Sequence, residues 1–159
     1  QHILSALHQS FTHVRFKTFL EVRASDRPPK GMEMAPAAFL AGLLTAPNTR
    51  SEGLNVVLGW SKKERNELIA TAHDLSYDQS GPENKPIGDW LSFFSNLSLQ
   101  GLDEREKLLK IKNETPLVRS FLENVLSNGP KTIQVQNKFQ KMGLSIQAFL
   151  KDCCLDSTS

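Results

Sequence analysis

The sequence predicts an α+β protein in which one long strand completes a mixed or antiparallel sheet and a mainly helical region follows. Three observations predict it. Residues 14–23 alternate in polarity at the period of a strand. Everything after the Pro28-Pro29 turn carries the spacing of helices, and no second strand pattern occurs to pair with the first. A lone strand is not stable by itself, so its partners are expected upstream of Gln1 or on another chain. The rest of the sheet would then lie outside these 159 residues.

The strand reads V-R-F-K-T-F-L-E-V-R from Val14 to Arg23. Val14, Phe16, Leu20 and Val22 fall on one face with Thr18 between them, and Arg15, Lys17, Phe19, Glu21 and Arg23 fall on the other. Such a strand is half buried. Asp26-Arg27-Pro28-Pro29-Lys30-Gly31 ends it, because paired prolines donate nothing to a ladder and Gly31 permits a turn.

Helices follow in order. Pro36 suits the first turn of a helix through Ala37, Phe39, Leu40, Leu43 and Leu44, which stops before Pro47. Ser51-Glu52 opens a second through Leu54, Val57 and Leu58, ending near Gly59. Ser61 with Glu64 three residues on is a capping box, and Trp60 stands at the staple position before a helix bearing Leu68, Ile69 and Ala72. Gly81, Pro82, Asn84 and Pro86 mark residues 78–86 as an exposed loop. Ile87, Trp90, Leu91, Phe94, Leu97 and Leu99 make an apolar helical stripe, and Asp103–Ile111 a further amphipathic piece. Thr115-Pro116 starts a helix that Asn128-Gly129-Pro130 stops. Thr132–Met142 and Ser145–Leu155 form two last helices around Gly143.

Composition narrows the function. Nineteen Lys and Arg against 17 Asp and Glu leave a formal charge of +2, too balanced for a broad nucleic-acid-binding face. The longest apolar stretch, Ala35–Leu44, is too short to span a bilayer. No signal peptide is visible, and the opening at Gln1 inside a patterned segment suggests a fragment whose missing part lies upstream. Cys153 and Cys154 are adjacent, a geometry poorly suited to a disulfide, and with no CxxC pair they fit a reducing compartment. Cytoplasm, or a plastid in a plant-like source, is the expected location.

No Walker, GxGxxG, HExxH or GxSxG spacing occurs, and His2, His8, His13 and His73 have no ligand spacing. What remains is the charged face of the strand: Arg15, Lys17, Glu21, Arg23, then Asp26. Same-face neighbours on a strand stand about 6.6 Å apart. Glu21 offers a hard oxygen ligand for Mg²⁺ and Arg23 a planar fork for phosphate oxygens, so together they suit a metal–nucleotide. The same charges also suit a solvated, salt-bridged sheet face.

The segment Phe11–Asp26 resembles F-P-E-V-R-L-K-R-Y-L-E-M-R-G-A-D of the glutamate–cysteine ligases of the plant and proteobacterial type. Phe11, Val14, Arg15, Lys17, Leu20, Glu21, Arg23 and Asp26 match, with Phe16, Phe19 and Val22 as close substitutes. Ala35–Leu44 is similar to the family's L-P-A-x-W-V-G-L-L, Trp60–Arg65 to W-T-x-x-E-R, and Leu99–Arg105 more loosely to G-L-x-x-R. Thr12-His13 and Ala24-Ser25 depart from the pattern, and the last fifty residues match poorly.

The resemblance implies a glutamine-synthetase-like fold and an ATP-dependent ligase. Such an enzyme joins the γ-carboxylate of glutamate to the amine of cysteine through a γ-glutamyl phosphate, the first step of glutathione synthesis. By carry-over Glu21 is a Mg²⁺ ligand and Arg23 contacts ATP phosphates, with Arg15 supporting and Asp26 a turn or neighbouring group. Residues 1–30 would then be the last strand of the catalytic sheet with its turn, 31–155 the helical region of the same domain, and 156–159 a tail. The missing upstream part would supply the glutamate pocket and most metal ligands, leaving this chain inactive alone; neither nucleic acid nor membrane is an expected partner. The competing reading is a non-enzymatic helical interaction module. In its nucleic-acid form, Thr132–Lys151 imitates a helix-turn-helix with Lys131, Lys138, Lys141 and Lys151 as its charge.

Overall fold

The computed structural model describes residues 14–16, 20–22, 25, 28–71, 74–143 and 145–156. The predicted ten-residue strand is instead a hairpin. Strands β1 (Val14–Phe16) and β2 (Leu20–Val22) pair antiparallel, with Val14 opposite Val22, Arg15 opposite Glu21 and Phe16 opposite Leu20. Each of the two short strands therefore has a partner within the same segment. Alternation could not reveal this. Three residues separate the strands, so Phe16 and Leu20 keep the same parity and both faces survive the reversal. Among the described residues these two strands are the only sheet. The turn after them is as expected: Met32 N–H donates to the Pro29 carbonyl at 3.0 Å, and Gly31 takes a φ of +82°.

The helical body is organised on α4 (Ile87–Leu109), a 23-residue helix about 35 Å long. Helix α1 (Ala35–Thr45) runs parallel to it: Ser98 Oγ donates to the Phe39 carbonyl at 2.8 Å, and the Arg105 guanidinium reaches Thr45 Oγ1. Helix α2 (Pro47–Gly59) returns antiparallel, with Asn48 near Glu104 and Gly53 near Leu97. The crossing of α1 and α4 is a glycine contact. A Cβ built on Gly101 would lie 2.7 Å from both the Gly42 carbonyl carbon and Thr49 Oγ1, and closer still to the Gly42 oxygen. A Cβ on Gly42 would in turn meet Ser98 Oγ at 2.8 Å and its carbonyl more closely. This explains why the two helical pieces expected over 87–111 are one helix. Gly101 interrupts the apolar stripe but not the backbone, because a side chain there would hold α1 away.

Pro47 at the first helical position also starts α2 earlier than Ser51. Its N-cap, Ala46, has no side-chain acceptor, and Glu104 Oε1 accepts from Asn48 N–H at 3.1 Å instead. Helix α3 (Lys62–Ala70) follows, then a 3₁₀ turn at Pro82–Asn84 that leads into α4. Thr115-Pro116 opens a second 3₁₀ turn (Thr115–Leu117), and α5 (Arg119–Asn128) begins two residues later; Gly129 at φ +77° stops it. Ala35, Ala38, Leu102, Val118 and Leu122 form the buried core joining α1, α4 and α5, with Met32, Phe39, Leu99 and Phe121 against it. Helices α6 (Lys131–Lys141) and α7 (Ile146–Asp156) turn about Gly143, as the sequence predicts. They meet through an edge-on Phe139–Phe149 pair 5.6 Å apart and a Lys138–Asp152 ion pair. No helix among the described residues is long and apolar enough to cross a membrane.

Candidate functional site

The hairpin gives the candidate site its geometry. Cross-strand partners share a face of the ladder, so Arg15 and Glu21 occupy one side while Val14, Val22, Phe16 and Leu20 occupy the other. The alternation read from the sequence is kept by the hairpin register. The neighbours differ, however. Arg15, six residues away in sequence, now holds the register position directly opposite Glu21. Glu21 itself is half buried, and Val14 is exposed. Arg23 and Asp26 lie outside the described residues, as do the four histidines.

Mg²⁺ asks for hard oxygens and commonly takes one or two carboxylates, completing its shell with water and substrate phosphates. Glu21 fits one such position. Among the described residues no group of three or more His, Cys, Asp or Glu is placed to hold a metal.

Two further features were not legible from spacing. A cleft of about 450 Å³ between α2 and α4 is lined by polar side chains, among them Asn48, Glu52, Gln100, Asp103, Glu104 and Lys107. Two of its three acids are in use structurally. Glu104 caps α2, and Asp103 Oδ1 accepts from Asn113 Nδ2 at 3.1 Å and Thr115 Oγ1 at 3.2 Å. Next to it, Arg105 Nε donates to Glu114 Oε2 at 2.8 Å. The polar spacing Asn48–Glu52 and Gln100–Glu104 marks two facing helix sides, but only the fold reveals that they face each other. The second feature is a smaller cavity of about 140 Å³ beside the hairpin's exit turn, between Pro29, Met32, Phe121 and Val125.

The Trp60–Arg65 segment forms a polar junction. Ser61 Oγ accepts from Glu64 N–H at 3.2 Å, and Glu64 Oε2 accepts from Ser61 N–H at 2.8 Å, completing the predicted capping box. Glu64 Oε1 accepts from Glu83 N–H at 2.8 Å, and Arg65 donates to the Trp60 carbonyl. These bonds, the one from Glu83 above all, hold the Glu64 carboxyl down to about 2, well below the usual carboxylate range. Tyr77 is pushed up by burial, and its hydroxyl donates to the Val125 carbonyl at 3.1 Å.

The family described as glutamate-cysteine ligase family 2 (GCS2) matches residues 3–83, just over half of the chain. The chain belongs to glutamate-cysteine ligase family 2. No curated protein and no solved structure matches it. The matched span covers the hairpin, α1, α2 and α3 and ends inside the Pro82–Asn84 turn. Two of the family-like segments thereby acquire structural duties in this ligase-family chain. Gly42, in the Ala35–Leu44 segment, lets α1 meet α4, and Ser61 with Glu64 caps α3.

Proposed function

We propose that this chain forms part of an ATP-dependent ligase that joins the γ-carboxylate of glutamate to the amine of cysteine, as in the first step of glutathione synthesis. The observation that carries this reading is the family match over residues 3–83, which spans the hairpin bearing Arg15 and Glu21. In the proposed reaction the γ-carboxylate attacks the terminal phosphorus of ATP and gives γ-glutamyl phosphate and ADP. The amine of cysteine then adds to the acyl carbon, phosphate leaves, and the amine gives up a proton as the amide forms. Protein groups serve here by positioning and by neutralising phosphate charge.

Glu21 would hold Mg²⁺ through its carboxylate, and Mg²⁺ when bound neutralises phosphate oxygens. Arg23 would pair its planar fork with an ATP phosphate. Arg15, opposite Glu21 in the ladder, would orient that carboxylate, and Asp26 would fix the turn that follows. Glu21 is a single ligand, so the glutamate pocket and the remaining ligands are assigned to other residues of the full-length product. On this proposal the fold class is glutamine-synthetase-like, and the 159-residue chain has no ligase activity by itself.

The test uses the full-length product that contains this chain. Glutamate- and cysteine-dependent ATP hydrolysis is measured for the wild type and for Glu21→Gln. The variant keeps its thermal midpoint and loses Mg²⁺-dependent turnover by 100-fold or more, on the order seen when a group that stabilises transition-state charge is removed. An unchanged rate removes Glu21 from the site. Measurable γ-glutamylcysteine formation by the purified 159-residue chain would refute the divided site. Of the four lysines of the helix-turn-helix alternative, Lys138 is paired with Asp152.

A further inference from the structure

Residues 80–86 close on themselves and on Trp90. Ser80 and Pro86 form an antiparallel bridge, Gly81 N–H donates to the Lys85 carbonyl at 2.7 Å, and Ile87 N–H donates to the Gln79 carbonyl at 2.9 Å. At the tip, Glu83 and Asn84 take φ values of +57° and +56°, two consecutive non-glycine residues in the left-handed region. That conformation is unfavourable for side chains with a Cβ and persists only where the surroundings fix it.

The fixing contacts are few and identifiable. Trp90 Nε1 donates to the Pro82 carbonyl at 2.9 Å, and the Lys85 ammonium sits 4.7 Å from the Trp90 ring centre while pairing with Glu83 at 2.7 Å. From outside the segment, the one carboxylate among the described residues that reaches the strained tip is Glu64, through Oε1 to Glu83 N–H. None of these residues belongs to the core around Leu102. Behind Trp90 lies Trp60, its ring 4.9 Å away and edge-on, 5% exposed, with its indole N–H lacking any acceptor among the described residues.

We infer that residues 80–86 are a strap over Trp90 that opens as a unit while the helical core stays folded, and that Glu64 is its latch. Strain at Glu83 and Asn84 favours opening; the Glu64, Trp90 and Lys85 contacts favour closure. The inference is independent of the ligase reading.

Amide hydrogen exchange, read by mass spectrometry on the 159-residue chain, tests it. In the wild type, amides of residues 80–86 exchange faster than those of residues 95–102 in α4. Glu64→Ala raises the strap's exchange roughly tenfold, the effect of losing one charge-assisted bond, and raises acrylamide quenching of tryptophan fluorescence, while α4 is unchanged. Ser61→Ala removes the cap acceptor but not the bond to Glu83, and leaves strap exchange at the wild-type rate. Asn84→Gly relieves the strain and slows strap exchange several-fold, which keeps the test open should Glu64→Ala not fold. Common exchange rates for the strap and α4, an unaltered strap in Glu64→Ala or Asn84→Gly, or equal effects of Ser61→Ala and Glu64→Ala would each overturn it.

Discussion

Two junctions on α4 are held by opposite means. Near its C-terminal half, α1 crosses it where Gly42 and Gly101 leave out side chains, so backbone meets backbone and Ser98 and Thr49 donate directly to carbonyls of α1. Near its N-terminus, the connection is made by long side chains that reach backbone groups: Trp90 to Pro82, Glu64 to Glu83, Arg65 to Trp60. The first junction tolerates no added atom, because its neighbours are backbone and cannot swing aside. The second rests on separate side chains, so a substitution can remove one contact and leave the others in place. That difference orders the expected consequences of substitution.

The largest effect belongs to the glycine crossing. Gly101→Ala must push α1 off α4 to make room beside the Gly42 carbonyl, and we expect it to cost about 3 kcal/mol or more, at the upper end of overpacking penalties. Gly59→Ala is the control. Nothing lies within 4 Å of a Cβ there and its φ is not positive, so the replacement stabilises by about 0.5 kcal/mol through lower chain entropy. Denaturant midpoints of both variants measure the contrast. Equal small effects would mean that the crossing is looser than its backbone contacts imply.

A middle-sized effect separates the tryptophans. Trp90→Phe removes the indole N–H that donates to the Pro82 carbonyl at 2.9 Å and leaves that acceptor with only the longer bond from Lys85 N–H, at 3.2 Å. Trp60→Phe removes an N–H that has no acceptor among the described residues. Ring volume lost is the same, so the comparison isolates the polar term. Trp90→Phe should be less stable than Trp60→Phe by about 1 kcal/mol, the net contribution of one hydrogen bond whose acceptor keeps a second donor. Matching losses in urea denaturation would show that packing alone decides both.

These junctions also show what could be read in advance. The capping box at Ser61 and Glu64 and the stop at Asn128-Gly129-Pro130 are local, and each appears in the structure where local chemistry puts it. The Gly42–Gly101 contact and the Glu64–Glu83 bond join residues far apart in sequence, and no spacing encodes them. The hairpin was hidden for a third reason: a three-residue connection preserves alternation, so one long strand and two short ones present the same pattern. For the candidate site, the sequence pattern placed Glu21 and Arg15 on one face. It did not place them across from each other, and Arg23 and Asp26 stand outside the described residues.

The smallest effect is a pH dependence at the second junction. Glu64 is held down to about 2 by the Glu83 and Ser61 N–H groups, against an ordinary value near 4.5 in the unfolded chain. A carboxyl lowered on folding contributes stability that is complete above its unfolded value and disappears as pH falls through its folded one. The contribution of Glu64 is therefore whole at pH 6, declines from about pH 4.5, and is gone near pH 2. Glu64→Gln removes the titration while keeping one oxygen acceptor for the strap. The difference in denaturation midpoint between wild type and Glu64→Gln should thus be largest at pH 6 and shrink steadily between pH 4.5 and 2. Other carboxyls titrate in both proteins and cancel in the difference. A gap that stays constant over that range would show that Glu64 acts by shape and not by charge, and would place the second junction on the same footing as the first.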